Sequence, residues 1–129
     1  MLTITCPVCG KTSRNPNDVK HRYCGNCRKF HDQFSEVQRQ AAPVITTAVR
    51  SRWIVLEQRE DIQHGRSITV WKQQCEELPE LTTVKMSTFG RGTSQHEQSW
   101  FYDGREYHTL HEACIAIWRD RVGAVQGAA

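Results

Sequence analysis

Four cysteines stand at a spacing that can do chemistry: Cys6-Pro7-Val8-Cys9 and, beyond the stretch Lys11 to Tyr23, Cys24-Gly25-Asn26-Cys27. Two thiolates separated by two residues can chelate one ion from a tight turn whose N–H groups point at the sulfurs, and two such turns complete a tetrahedral set. Gly10, directly after Cys9, suits the positive φ such a turn requires. Four thiolates close the coordination shell and leave no position for water, which makes the chemistry structural rather than catalytic. The competing reading is a redox dithiol, but a redox Cys-x-x-Cys opens a helix of a βαβ unit, and here two copies fall close together. The spacing therefore predicts one zinc ion on Cys6, Cys9, Cys24 and Cys27.

A looser group lies near the end of the chain: His108, His111, Glu112 and Cys114, with Cys75 and His96 as distant additions. His111 and Cys114 are three apart and can share a helix face. The plainer reading, and the one expected, is exposed cap histidines and a small apolar cysteine in a core. His111-Glu112 lacks the intervening residue, and the Pro-Cys-x-x-Cys, of a zinc deaminase. The sequence carries no nucleophile motif, phosphate loop or acid–base pair, so a non-enzymatic protein is expected. His64, Glu57, Glu60 and Asp61 fall in one charged stretch and read as solvated loop residues.

The elements that must position these residues follow from patterning, and they divide the chain into 1–34, 35–43, 44–122 and 123–129. Residues 1–34 are the cysteine ribbon. Ser35-Glu36-Val37-Gln38 is a capping box that predicts a short helix, which Pro43 must end. From Val44 the apolar residues are β-branched and alternate, so Val44 to Leu56 is expected to be one long strand or two short ones. Glu57 to Gly65 is expected to be a turn, with further strands at 67–71 and 82–89 and a loop at 90–95. Ser99 to Tyr102 and Arg105 to His108 flank Asp103-Gly104, a type I′ hairpin signal. Thr109 and Glu112 form a second capping box, opening a helix of about 12 residues that Gly123 should stop. The fold class expected is α+β: an N-terminal zinc ribbon, then a small antiparallel sheet of four or five strands with one C-terminal helix on one face, and a flexible tail at 123–129.

The 129 residues are 38% hydrophobic and 24% charged, a globular composition without any apolar run long enough to cross a bilayer. Met1 to Thr5 leads straight into Cys6, leaving no room for a secretory leader, so a cytoplasmic location is expected. Reducing surroundings also suit metal-bound rather than disulfide-bonded cysteines. The net charge of +3 is unevenly placed: residues 1–40 carry +4 and residues 41–129 carry −1.

At Cys6-Pro7-Val8-Cys9-Gly10, Asn15 to Val19 and Tyr23 to Asp32, the chain resembles small four-cysteine zinc-ribbon proteins of actinobacteria and their phages. The resemblance covers about a quarter of the chain and implies a bacterial or phage cytoplasmic protein with zinc on these cysteines. It implies no activity.

Two roles compete. In the first, Lys11, Arg14, Lys20, Arg22, Arg28 and Lys29 contact the phosphates of a nucleic acid or nucleoprotein machine, with Tyr23 and Phe30 available to stack on bases. In the second, the chain is an adaptor or inhibitor that meets a partner protein through the ribbon or through aromatics of the sheet, drawn from Trp53, Trp71, Trp100 and Trp118. Alternation along Trp100-Phe101-Tyr102 predicts that at least one aromatic faces outward.

Overall fold

The computed structural model describes residues 2–90 and 92–127, with side chains as far as Gly123. The chain divides into two units, Met1–Arg50 with Cys114–Ala129, and Ser51–Ala113.

The first unit opens with a two-strand ladder, β1 (Ile4–Thr5) against β2 (Thr12–Ser13), which brackets the first cysteine turn. Helix α1 (Pro16–His21) follows. Asn15 caps it by accepting from the Asn17 N–H at 2.9 Å, Pro16 fits the first turn, where no donor is needed, and Arg22 ends it at a left-handed φ of 51°. A second ladder, β3 (Tyr23–Cys24) against β4 (Lys29–Phe30), brackets the second cysteine turn. After a 3₁₀ turn at His31–Gln33 comes α2 (Glu36–Gln40), and its capping box forms in full: Ser35 Oγ accepts from Gln38 N at 3.1 Å, and Gln38 Oε1 accepts from Ser35 N at 3.0 Å.

Of the strand or strands expected over Val44 to Leu56, the first part is instead a helix, α3 (Ala42–Arg50), while the part from Trp53 on is strand. Pro43 does end α2, but it also sits in the first turn of α3, where its fixed φ and missing N–H cost nothing. The β-branched run misled because its period is helical: Ala41, Val44, Ile45 and Ala48 recur at i, i+3, i+4 and i+7, and all four are buried. Thr47 bonds back to the Pro43 carbonyl at 2.8 Å, the helical way of satisfying a threonine hydroxyl.

The second unit is a five-stranded antiparallel meander in sequence order: β5 (Trp53–Gln63), β6 (Arg66–Cys75), β7 (Thr82–Gly90), β8 (Thr93–Tyr102) and β9 (Arg105–Tyr107). The turn expected at 57–65 is strand as far as Gln63. Only His64 and Gly65 turn, both at positive φ (53° and 75°), as a type I′ connection needs. The misreading has a physical cause: β5 is an edge strand exposed from Ile54 to Gln63, so no buried face imposes alternation on its charges. The loop expected at 90–95 shrinks for the same reason, with β8 beginning at Thr93 and exposed to Gln98. Asp103 and Gly104 turn at 52° and 73° between β8 and β9, as expected. Trp53, Trp71 and Trp100 are all half-buried, as are Phe101 and Tyr102, so the outward aromatic expected there is not fully exposed.

Helix α4 (Leu110–Gly127) starts where expected, with Thr109 Oγ1 accepting from Glu112 N at 3.1 Å. It runs through Gly123 rather than stopping there, because a glycine ends a helix only by taking a left-handed φ, and Gly123 keeps a helical one. Of the flexible tail expected at 123–129, residues 123–127 are therefore helix, and 128–129 lie outside the described residues. Among the described residues no helix is long and apolar enough to cross a membrane.

Candidate metal centre

The two ladders of the first unit bring four sulfurs together. The Sγ atoms of Cys6, Cys9, Cys24 and Cys27 all lie within 4.8 Å of one another, with the first three cysteines buried. Cys6 and Cys27 are 3.9 Å apart and Cys9 and Cys24 are 3.6 Å apart, far beyond the ~2.05 Å of a disulfide. Among the described residues no cysteine is in a disulfide. This set could hold a metal ion.

Each turn aims backbone donors at sulfur. Val8 N and Cys9 N both donate to Cys6 Sγ at 3.4 Å, and Cys27 N donates to Cys24 Sγ at 3.4 Å. The residue after each pair takes a left-handed φ, 76° at Gly10 and 56° at Arg28. Without a cation the four thiols cannot all ionise. Cys9 falls from the ordinary thiol value of 9.0 to about 4, chiefly because its thiolate accepts a hydrogen bond from Cys27. The same bond, with burial behind it, pushes Cys27 well up, and burial pushes Cys24 up. A cation among the sulfurs removes this competition by attracting all four thiolates at once.

Helix α3 fastens the first turn. Thr46 Oγ1 donates to the Val8 carbonyl at 2.9 Å and Arg50 Nη2 donates to the Gly10 carbonyl at 3.1 Å. The sequence reading missed this support; the signal was the helical spacing of Ala41, Val44, Ile45 and Ala48.

The cations expected to meet phosphates are dispersed around the ladders. Lys11, Arg14, Lys20, Arg22 and Arg28 are exposed, and Lys29 is half-buried in β4. Arg14 and Lys20 line one shallow depression with Leu2, Pro16 and Val19, while Lys11 lines another beside Cys24 and Asn26. Arg22 lies in a third and larger one, a groove of about 760 Å³ where it meets Phe30, His21, His31, Asp32 and Arg39. His21 and Arg39 were not among the residues singled out from sequence, because nothing in their spacing ties them to Arg22.

Among the described residues no second group of three or more His, Cys, Asp or Glu side chains comes within ligating range of one another. His96 instead bonds Ser87 at 2.8 Å and packs edge-on to Phe89, while Cys75 and Cys114 are fully buried. Compared with known proteins, the chain matches no protein-family model, no curated protein and no solved structure.

Proposed function

We propose that this is a non-enzymatic protein whose N-terminal unit is a zinc-stabilised ribbon that contacts nucleic acid through its basic surface. The observation that carries the reading is the sulfur cluster with exposed cations around it. A tetrahedral zinc site with bonds of about 2.3 Å has sulfur–sulfur edges of about 3.8 Å, and the Cys6–Cys27 and Cys9–Cys24 distances of 3.9 and 3.6 Å fit that figure. The all-thiolate donor set selects a soft or borderline ion, and the N–H groups aimed at Cys6 and Cys24 stabilise the negative sulfurs. A closed set offers no site for a reacting water, which supports a structural role for the metal.

The case for nucleic acid is the surplus of Lys and Arg over Asp and Glu in residues 1–40, with Tyr23 and Phe30 between them. The test is fluorescence anisotropy of the zinc-loaded protein with duplex and single-stranded oligonucleotides as salt is raised. Engagement of all six cations predicts a log–log slope near −5 for duplex, on the order of −0.9 per phosphate. Absence of binding at low salt, or binding indifferent to salt, overturns the reading.

One observation favours a second role, protein interaction through the sheet. Ile54, Val55, Leu56 and Ile62 are 43%, 49%, 50% and 79% exposed along β5, an edge strand with a strand neighbour on one side only among the described residues. Such an edge can accept a partner's strand. Co-purification of one defined protein at near-physiological salt, lost when Ile54 and Leu56 become lysine, is the result that would choose this role.

A further inference from the structure

The groove beside the second ladder has more specific chemistry than a basic surface. Phe30, at the end of β4, is 42% exposed although it is a large aromatic side chain. Its cross-strand partner Tyr23 meets it edge-on, with ring centroids 5.0 Å apart and planes at 60°. The contact braces the Phe30 ring without covering it.

Nitrogen-bearing side chains converge on the same groove from three segments: His21 and the cation Arg22 from the end of α1, His31 from the turn after β4, and the cation Arg39 from α2. Asp32 is the one carboxylate among the lining residues. Among the described residues neither Arg22 nor Arg39 is paired with a carboxylate. The walls are tied to each other, because His31 N donates to the Arg22 carbonyl at 2.8 Å and Arg39 Nη2 donates to the His31 carbonyl at 2.8 Å. Arg39 spends one of its five N–H donors there, leaving the rest of its fork for a ligand. The Phe30 ring and the Arg39 guanidinium are thus held in place before anything binds, and the Arg22 backbone is tied to His31.

We propose that this groove is a single-strand site, in which one base stacks on Phe30 and the adjoining phosphates lie between Arg22 and Arg39. The inference rests on the nucleic-acid reading above and sharpens it. A ring can stack only on a base whose face is open, and in a duplex both faces of every internal base are already covered. The groove therefore prefers single strands, whereas Lys11, Arg14, Lys20 and Arg28, which line no part of it, meet phosphates of either form.

The test is anisotropy with a labelled single-stranded oligonucleotide and the duplex of the same sequence, using the full zinc-loaded chain. The wild-type protein should bind the single strand more tightly than the duplex. Phe30→Ala should weaken the single strand roughly 5- to 150-fold, the range for loss of one stacked base, and leave the duplex within about twofold. Phe30→Leu keeps an apolar side chain against Tyr23 while removing the aromatic face, and should lose single-strand affinity as well, which separates stacking from folding. Arg22→Ala and Arg39→Ala should each flatten the single-strand salt dependence by about 0.7. Equal affinity for the two forms, or an unchanged single-strand affinity in Phe30→Leu, overturns the groove. If the groove variants bind normally while a Lys11→Ala/Arg14→Ala/Lys20→Ala/Arg28→Ala variant does not, the groove falls and the nucleic-acid reading stands. If no oligonucleotide binds the wild-type chain at low salt, both fall.

Discussion

Replacing Gly10 by alanine should be far more damaging than a surface Gly→Ala change, and the reasons can be separated. Gly10 sits at φ 76°, and a Cβ placed there would come within 2.9 Å of Thr46 Cγ2 and 3.2 Å of Arg50 Nη2. An L-residue at left-handed φ costs about 1–2 kcal/mol, from which about 0.5 kcal/mol is recovered because alanine restricts the unfolded chain. The Arg50 guanidinium is the end of a flexible side chain and can swing away. Thr46 cannot, since it is β-branched within α3 and its hydroxyl is bonded to the Val8 carbonyl. Forcing that contact adds about 1–3 kcal/mol, the usual range for overpacking. The total of about 2–4 kcal/mol should be read in metal affinity, because a unit folded around its ion gains and loses both together. That corresponds to a loss of roughly 30- to 700-fold, at about 1.4 kcal/mol per decade, measured by competition with a coloured chelator. Thr46→Ser removes Cγ2 and keeps the hydroxyl. In the Gly10→Ala background it should restore the steric part, although alone it should be mildly destabilising. A Gly10→Ala protein within threefold of wild type, or no rescue by Thr46→Ser, would refute the claim that α3 presses on the first cysteine turn.

Two other outcomes follow from the same site. In the metal-free chain the depressed Cys9 thiol favours the fold fully above its ordinary value of 9.0 and loses that contribution as pH falls through about 4, while raised Cys24 and Cys27 thiols hold their protons at neutral pH. Metal uptake at pH 7 must expel those protons, so titration in weak buffer should release acid and the apparent affinity should fall steadily as pH is lowered; uptake without proton release would contradict it. Arg28 holds at φ 56° the position that Gly10 holds in the first turn. Arg28→Gly should therefore raise the melting temperature of the zinc-loaded protein, by the equivalent of about 0.5–1 kcal/mol after the entropy glycine adds to the unfolded chain, while Arg28→Ala should not.

What could be read from sequence depended on how local the cause was. The cysteine cluster was legible because two residues between thiols dictate the turn, and the Ser35 box and Asp103-Gly104 hairpin were legible because both are complete within four residues. Helix α3 was not, since Val44 to Val49 satisfies β propensity one residue at a time and only the pairing of Ile45 and Ala48 with a buried surface reveals the helical period. Strand β5 failed from the opposite side: Glu57 to Gln63 buries nothing, and its strand character is imposed by hydrogen bonds to β6, which lies beyond the turn. The groove was invisible for a third reason. His21, Arg22, Phe30 and Arg39 come together only after the cysteine turns and two helix termini have set the path of the chain.

That dependence bears on function, because it separates charge from arrangement. The +4 of residues 1–40 belongs to the sequence and persists whether or not the unit is folded. The Phe30 ring braced by Tyr23, and the bonds joining Arg22, His31 and Arg39, exist only in the folded ribbon. Both ladders meet at the four cysteines, so a metal ion held there would fix that arrangement. Removing metal should then leave a polycation that still binds nucleic acid weakly, with a shallow salt dependence and no preference between single strand and duplex. Restoring zinc should bring back the single-strand preference and the sensitivity to Phe30 together. Retention of both in the metal-stripped chain, checked by the same anisotropy titrations after exhaustive chelation, would mean that the ion is not what organises the binding surface.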